Sequence, residues 1–152
     1  MAELRWFAAD RARLVLEYTR VHRDYPNFVL RVADDGLSWE GELADIPLGL
    51  RAEPLRVRLL YPKAYPIRPP RIVPLAPEIP SAQWGHEWHR WPSGAICIVE
   101  PRHWSLNYTA ADALAKAADW YFNYLARIHG LNEVMPDVGR AAIRIEPAGD
   151  NG

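Results

Sequence analysis

The sequence predicts an α+β domain in which helices flank a four-stranded antiparallel meander. Two patterns predict it: apolar residues recur at helical spacing near both ends of the chain, and they alternate in the stretch between. A third sign is the turn triplet Asp34-Asp35-Gly36, which joins two alternating runs and supplies a glycine able to take positive φ.

The first element runs from about Glu3 to His22, where Leu4, Phe7, Ala8, Leu14, Tyr18 and Val21 form the apolar stripe of an amphipathic helix. Phe28, Leu30 and Val32 then alternate, followed by Leu37, Trp39, Gly41 and Leu43, and by Leu55, Val57, Leu59 and Tyr61, which predicts three strands. The first two should pair through the Asp-Asp-Gly turn. From Tyr61 to Pro80 repeated prolines remove backbone donors, so only an edge strand around Ile72 and Val73 is compatible with that segment. Thr109 followed by Asp112 reads as a variant capping box, opening a long helix to about His129 that Gly130 ends. Its stripe is Leu114, Ala117, Ala118, Tyr121, Leu125 and Ile128. Residues 1–130 are read as the domain and 131–152 as a short extension, in which only Ala141 to Ile145 resembles a strand.

Composition narrows the function. A chain of 152 residues supports one domain, and 18 basic against 19 acidic residues leave no field for holding nucleic acid. There is no signal-peptide pattern and no apolar run of membrane-spanning length, and the single cysteine, Cys97, cannot form an internal disulfide. The expectation is a soluble, cytoplasmic protein with no membrane partner. Only Lys63 and Lys116 are lysines, so positive charge resides on arginine. Half of the 14 prolines lie between Pro62 and Pro80, and four of the seven tryptophans lie between Trp84 and Trp104, around Cys97.

That middle region carries a resemblance. Tyr61-Pro62, Tyr65-Pro66 and Pro69-Pro70 precede Pro92-Ser93-Gly94, which ends three residues before Cys97. Trp104-Ser105 and the Thr109 helix follow. In this order, over roughly residues 1–128, the chain resembles the ubiquitin-conjugating enzymes. The resemblance implies that fold, with its C-terminal helices reduced or absent because 131–152 is too short for both. It implies an enzyme that accepts a ubiquitin-like protein from an adenylating, activating enzyme as a thioester on Cys97, then passes it to an amine of a protein acceptor. No cofactor or metal is implied. Shortened bacterial relatives with a histidine near the cysteine are similar, several of them in antiphage defence operons, and they imply that setting here.

The chemistry needs a thiol, because a thioester stays labile to an amine. Cys97 is the one residue that can supply it. The family's His-Pro-Asn triplet is altered: ungapped alignment lays Glu87-Trp88-His89 upon it, so His89 takes the asparagine position, as oxyanion donor or as general base. With one residue inserted, His86 takes the family's histidine position. His103 is a further candidate, Trp104 a plug at the base of the loop, and Asn107 and Tyr108 acceptor-side residues. Three other readings compete: an inactive module of the same fold that docks a ubiquitin-like protein or partner enzyme, a zinc site from His86, His89, His103 and Cys97, and a cysteine hydrolase using one of these histidines as base.

Overall fold

A computed structural model describes residues 5–34 and 36–136. It contains helices α1 (Trp6–Ala9) and α2 (Arg11–Asp24), strands β1 (Val29–Ala33), β2 (Gly36–Leu43), β3 (Leu55–Leu60) and β4 (Arg71–Ala76), and the long helix α3 (Ala110–Ile128). The strands form one antiparallel sheet in the order β1-β2-β3-β4. The expected α+β class and the four-stranded meander are therefore present. Leu4, Asp35 and the strand expected at Ala141 to Ile145 lie outside the described residues.

The first helix differs from its expectation. The chain breaks at Asp10, whose carboxylate accepts the Arg13 N–H at 3.0 Å, so the predicted single helix is a short turn followed by a capped helix. Its buried face is Arg13, Glu17 and Val21, one position in four, while Tyr18 is exposed and Leu14 only half-buried. Tyr18 instead lays its ring near Trp39, with centroids 5.8 Å apart.

The hairpin closes with Ala33 opposite Gly36, which adopts φ 125°. Along β2 and β3, side chains alternate as the pleat requires, so Leu37, Trp39, Leu43, Leu55, Val57 and Leu59 all reach the core. The opposite face is charged: Glu40 pairs with Arg56 at 2.9 Å and Arg58 at 3.1 Å across the strands. These guanidinium hydrogen bonds hold the Glu40 carboxyl below its ordinary value. Strand β4 is an edge, and it carries Pro74 where its register against β3 shifts.

Helix α3 covers the inner face through Leu114, Ala117, Ala118, Tyr121 and Leu125, whereas Ile128 lies 42% exposed and does not continue the predicted stripe. Asp112 accepts the Thr109 N–H at 2.8 Å, and Gly130 ends the helix at φ 79°. Beyond it, residues 131–136 contain no helix, and Met135 turns back into the core.

A buried polar network ties these layers together. The Glu17 carboxylate, 1% exposed, accepts from Arg13 Nε at 2.9 Å, Tyr61 OH at 2.9 Å, Tyr65 OH, and the Ala110 N–H at 2.8 Å. Arg13 also donates to the carbonyls of Leu106, at 2.6 Å, and of Tyr108. Two tyrosines that precede prolines, the helix before the sheet and the first turn of α3 thus meet on one carboxylate, which also favours the N-terminal end of α3 electrostatically.

Candidate functional site

The segment from Pro80 to Trp104 has almost no regular structure, so its shape comes from short hydrogen-bonded turns. Gly85, at φ 93°, opens a 3-10 turn over His86–Trp88, and His89 closes it in the left-handed region at φ 50°, ψ 50°. A left-handed non-glycine residue is uncommon and marks a backbone held by its surroundings. Next comes a tight reversal: the Gly94 N–H donates to the Trp91 carbonyl and the Trp91 N–H to the Ala95 carbonyl, each at 2.8 Å. Arg90 and Ile96 then face one another as an antiparallel bridge.

This small hairpin decides where the side chains go. Ile96 donates its N–H to the Ile72 carbonyl of β4 at 2.8 Å, hanging the cysteine arm on the sheet edge. Ile96 and Ile98 are buried in the core, while Cys97 between them is only half-buried. Across the hairpin Arg90 is buried and His89 half-buried. The Cys97 N–H donates to the His89 carbonyl at 2.9 Å, so these two residues are neighbours.

Both open into one cavity of about 310 Å³, lined by Gly85, His86, His89, Arg90, Trp91, Pro92, Cys97, Val99 and Glu100. His89 Nε2 lies 3.1 Å from the Met135 carbonyl. A carbonyl can only accept, so Nε2 carries the proton, and in the neutral ring Nδ1 is then the basic nitrogen. His86 is exposed, lines the same cavity and sets its ring edge-to-face on His89, with centroids 5.9 Å apart.

Of the residues expected from sequence, Cys97, His89 and His86 come together. The others do not reach the cavity wall. His103 ends an exposed 3-10 turn. Trp104 is buried and donates Nε1 to the Pro66 carbonyl at 3.1 Å, packing beside Tyr65 and Tyr108. Asn107 is exposed, and Tyr108 offers its carbonyl to Arg13. Among the described residues no three His, Cys, Asp or Glu side chains are placed to hold a metal ion, so the four-residue zinc reading has no geometry behind it.

Sequence reasoning missed Arg90. It is 4% exposed, with its guanidinium 4.5 Å from the Trp84 ring and 6.0 Å from the Trp120 ring, and its Nε and Nη2 donate to the Gly94 carbonyl at 2.9 and 2.6 Å. This explains Gly94 physically: φ is 93°, and a Cβ there would come within 3.3 Å of Arg90 Nη2 and 3.4 Å of Trp84. The available signal was a cation among tryptophans.

A second cavity, of about 600 Å³, adjoins the first and shares Trp91 and Val99 with it. Its wall combines apolar Ile96, Ile98 and Pro70 with the cations Lys63, Arg68 and Arg71. The loop is also anchored to α3: Trp120 Nε1 donates to the Trp88 carbonyl at 2.8 Å, and Arg127 stacks 3.9 Å from the Trp88 ring. No helix among the described residues is long and apolar enough to cross a membrane. Neither a protein-family model, nor a curated protein, nor a solved structure matches this chain.

Proposed function

We propose that this chain is a ubiquitin-conjugating-type acyltransferase in which Cys97 carries a ubiquitin-like protein as a thioester. The observation that carries the reading is the pairing of Cys97 and His89 on one cavity wall, with the basic nitrogen of His89 distinct from the one bound to Met135. The order of helix, meander, proline segment, cysteine loop and long helix supports the reading.

In the first step the Cys97 thiolate attacks the C-terminal carbonyl carbon of a carrier protein held as a thioester on its activating enzyme. A tetrahedral intermediate forms, the enzyme's thiolate leaves, and the carrier is bonded to Cys97 Sγ. In the second an acceptor amine attacks that carbonyl carbon. His89 Nδ1 takes the ammonium proton, the amide forms, and Cys97 Sγ departs as thiolate. With Nε2 engaged by Met135, His89 serves as a base rather than as a neutral oxyanion donor. In this reading the carrier's extended tail lies in the adjoining cavity, which shares Trp91 and Val99 with the one that Cys97 lines. A bacterial conjugation system encoded beside an activating enzyme, including an antiphage one, is the setting this reading favours.

The test is incubation with the ubiquitin-like protein and adenylating enzyme encoded nearest its gene, plus ATP. The reading expects an adduct that reductant removes and that Cys97→Ala does not form. Carrier binding with no adduct would instead identify a docking module of the same fold.

A further inference from the structure

Among the described residues, the cation beneath the cysteine hairpin has no carboxylate partner. Arg90 is buried between Trp84 and Trp120, and among the described residues its guanidinium hydrogen bonds go to the single carbonyl of Gly94. Among the described residues no acceptor meets its buried Nη1. A buried guanidinium left short of acceptors is costly, and structures keep such groups satisfied unless a function uses them. Aromatic faces offset part of the cost, yet a neutral core residue of similar size would hold this loop without it.

Arg90 belongs to the wall of the cavity that also contains Cys97, and the two sit on facing arms of one hairpin, Arg90 opposite Ile96 and Cys97 next in line. We propose that Arg90 is a positioning residue for Cys97: its buried charge, on the facing arm of the same hairpin and in the same cavity wall, favours the thiolate, so that Cys97 reacts at lower pH than an ordinary thiol. Two facts besides the geometry agree. Burial lowers the Arg90 pKa, and Tyr124 and Cys97 in their ionised forms oppose that lowering, so Arg90 and Cys97 lie within electrostatic reach of each other. A cation next to a cysteine is also a general way of making it nucleophilic near neutrality.

Other charges face this cavity and enter the same balance. His86 and His89 favour the thiolate when protonated, while Glu100 opposes it and is itself paired with Arg102 at 2.9 Å. Tyr124 of α3 faces Arg90 and is raised by burial, so it stays neutral at working pH. Arg90 is the member of the set whose charge is fixed across the whole range.

The inference rests on the proposed function only in taking Cys97 as the reacting atom. It needs no carrier or activating enzyme, so its test can fail or succeed separately. The test is the rate of Cys97 alkylation by iodoacetamide against pH, in folded protein and in protein unfolded by urea. The folded chain should reach half-maximal reactivity about one pH unit or more below the unfolded chain, also in His89→Ala. Arg90→Gln should erase that difference, slowing alkylation at pH 7 by roughly tenfold. Arg90→Lys, which keeps the charge but not the two-pronged grip on Gly94, should recover most of it. A folded Arg90→Gln with an unchanged profile would overturn the inference. Should that variant fail to fold, a wild-type midpoint at or above the unfolded one would overturn it equally.

Discussion

Cys97 donates its backbone N–H to the carbonyl oxygen of His89 at 2.9 Å, so main chain holds these two residues next to one another on the wall of one cavity. Either side chain can therefore change while this bond still fixes the spacing.

That separation makes His89 testable. His89→Ala should keep most thioester loading while discharge to an amine slows by about 10–1000-fold, the scale of losing a general base. Alanine is strained at φ 50°, so His89→Asn, which tolerates a left-handed backbone, is the cleaner variant. Asparagine can donate but cannot take a proton, so its discharge should stay slow. Single-turnover discharge assays decide the matter, and wild-type rates in both variants would remove His89 from the chemistry.

The Glu17 network should dominate stability. Glu17→Ala would leave Arg13 buried beside an empty site, with Tyr61, Tyr65 and the first turn of α3 short of their acceptor. Breaking such a pair from one side costs about 3–5 kcal/mol. Glu17→Gln, which keeps shape and one acceptor, should cost less. Urea unfolding measures both, and a loss under about 1 kcal/mol for Glu17→Ala would refute the keystone role.

Alkaline pH should weaken the fold through the same tyrosines. Burial pushes Tyr61 and Tyr65 well above the ordinary phenol value of 10.0, with the Glu17 charge adding to the rise. Above that pH the unfolded chain sheds phenol protons that the folded chain keeps, so stability is intact below about pH 10 and falls as pH climbs past it. Thermal melts should show Tm flat up to about pH 9 and dropping beyond pH 10. Tyr61→Phe should soften that alkaline drop.

Gly41 has no room for a side chain. A Cβ would meet Phe28 Cγ at 2.5 Å and Asn27 Oδ1 at 2.7 Å, and Asn27 is itself bonded to the β2 backbone at Glu42 by two hydrogen bonds of 2.7 and 3.2 Å. Gly41→Ala should cost about 1–3 kcal/mol from forced displacement of the Phe28 ring. A Tm equal to wild type would contradict that packing.

Much of the fold is legible in the chain because hydrophobic period reports burial directly, as along Leu37, Trp39, Gly41 and Leu43 and along Leu114, Ala117 and Tyr121. What period cannot report is charge placed on the inner side. Arg13 and Glu17 occupy the buried face of α2 while the apolar Tyr18 and Val15 stay outside, so the predicted stripe is turned on the helix. Asp10 looks like a solvent-facing acid in sequence and acts as a cap that breaks the helix. At the site, the order of proline, glycine and cysteine pointed to Cys97, and register pointed to His89. Arg90 stayed hidden because its role depends on Trp84 and Trp120, the latter 30 positions away in α3.

The most direct test of the central claim is the intact mass of the chain after incubation with carrier, adenylating enzyme and ATP. Thioester transfer should give a gain equal to the carrier less one water, located at Cys97, reversed by thiol, and missing in Cys97→Ala. No gain, or one that survives thiol and persists in Cys97→Ala, would contradict it.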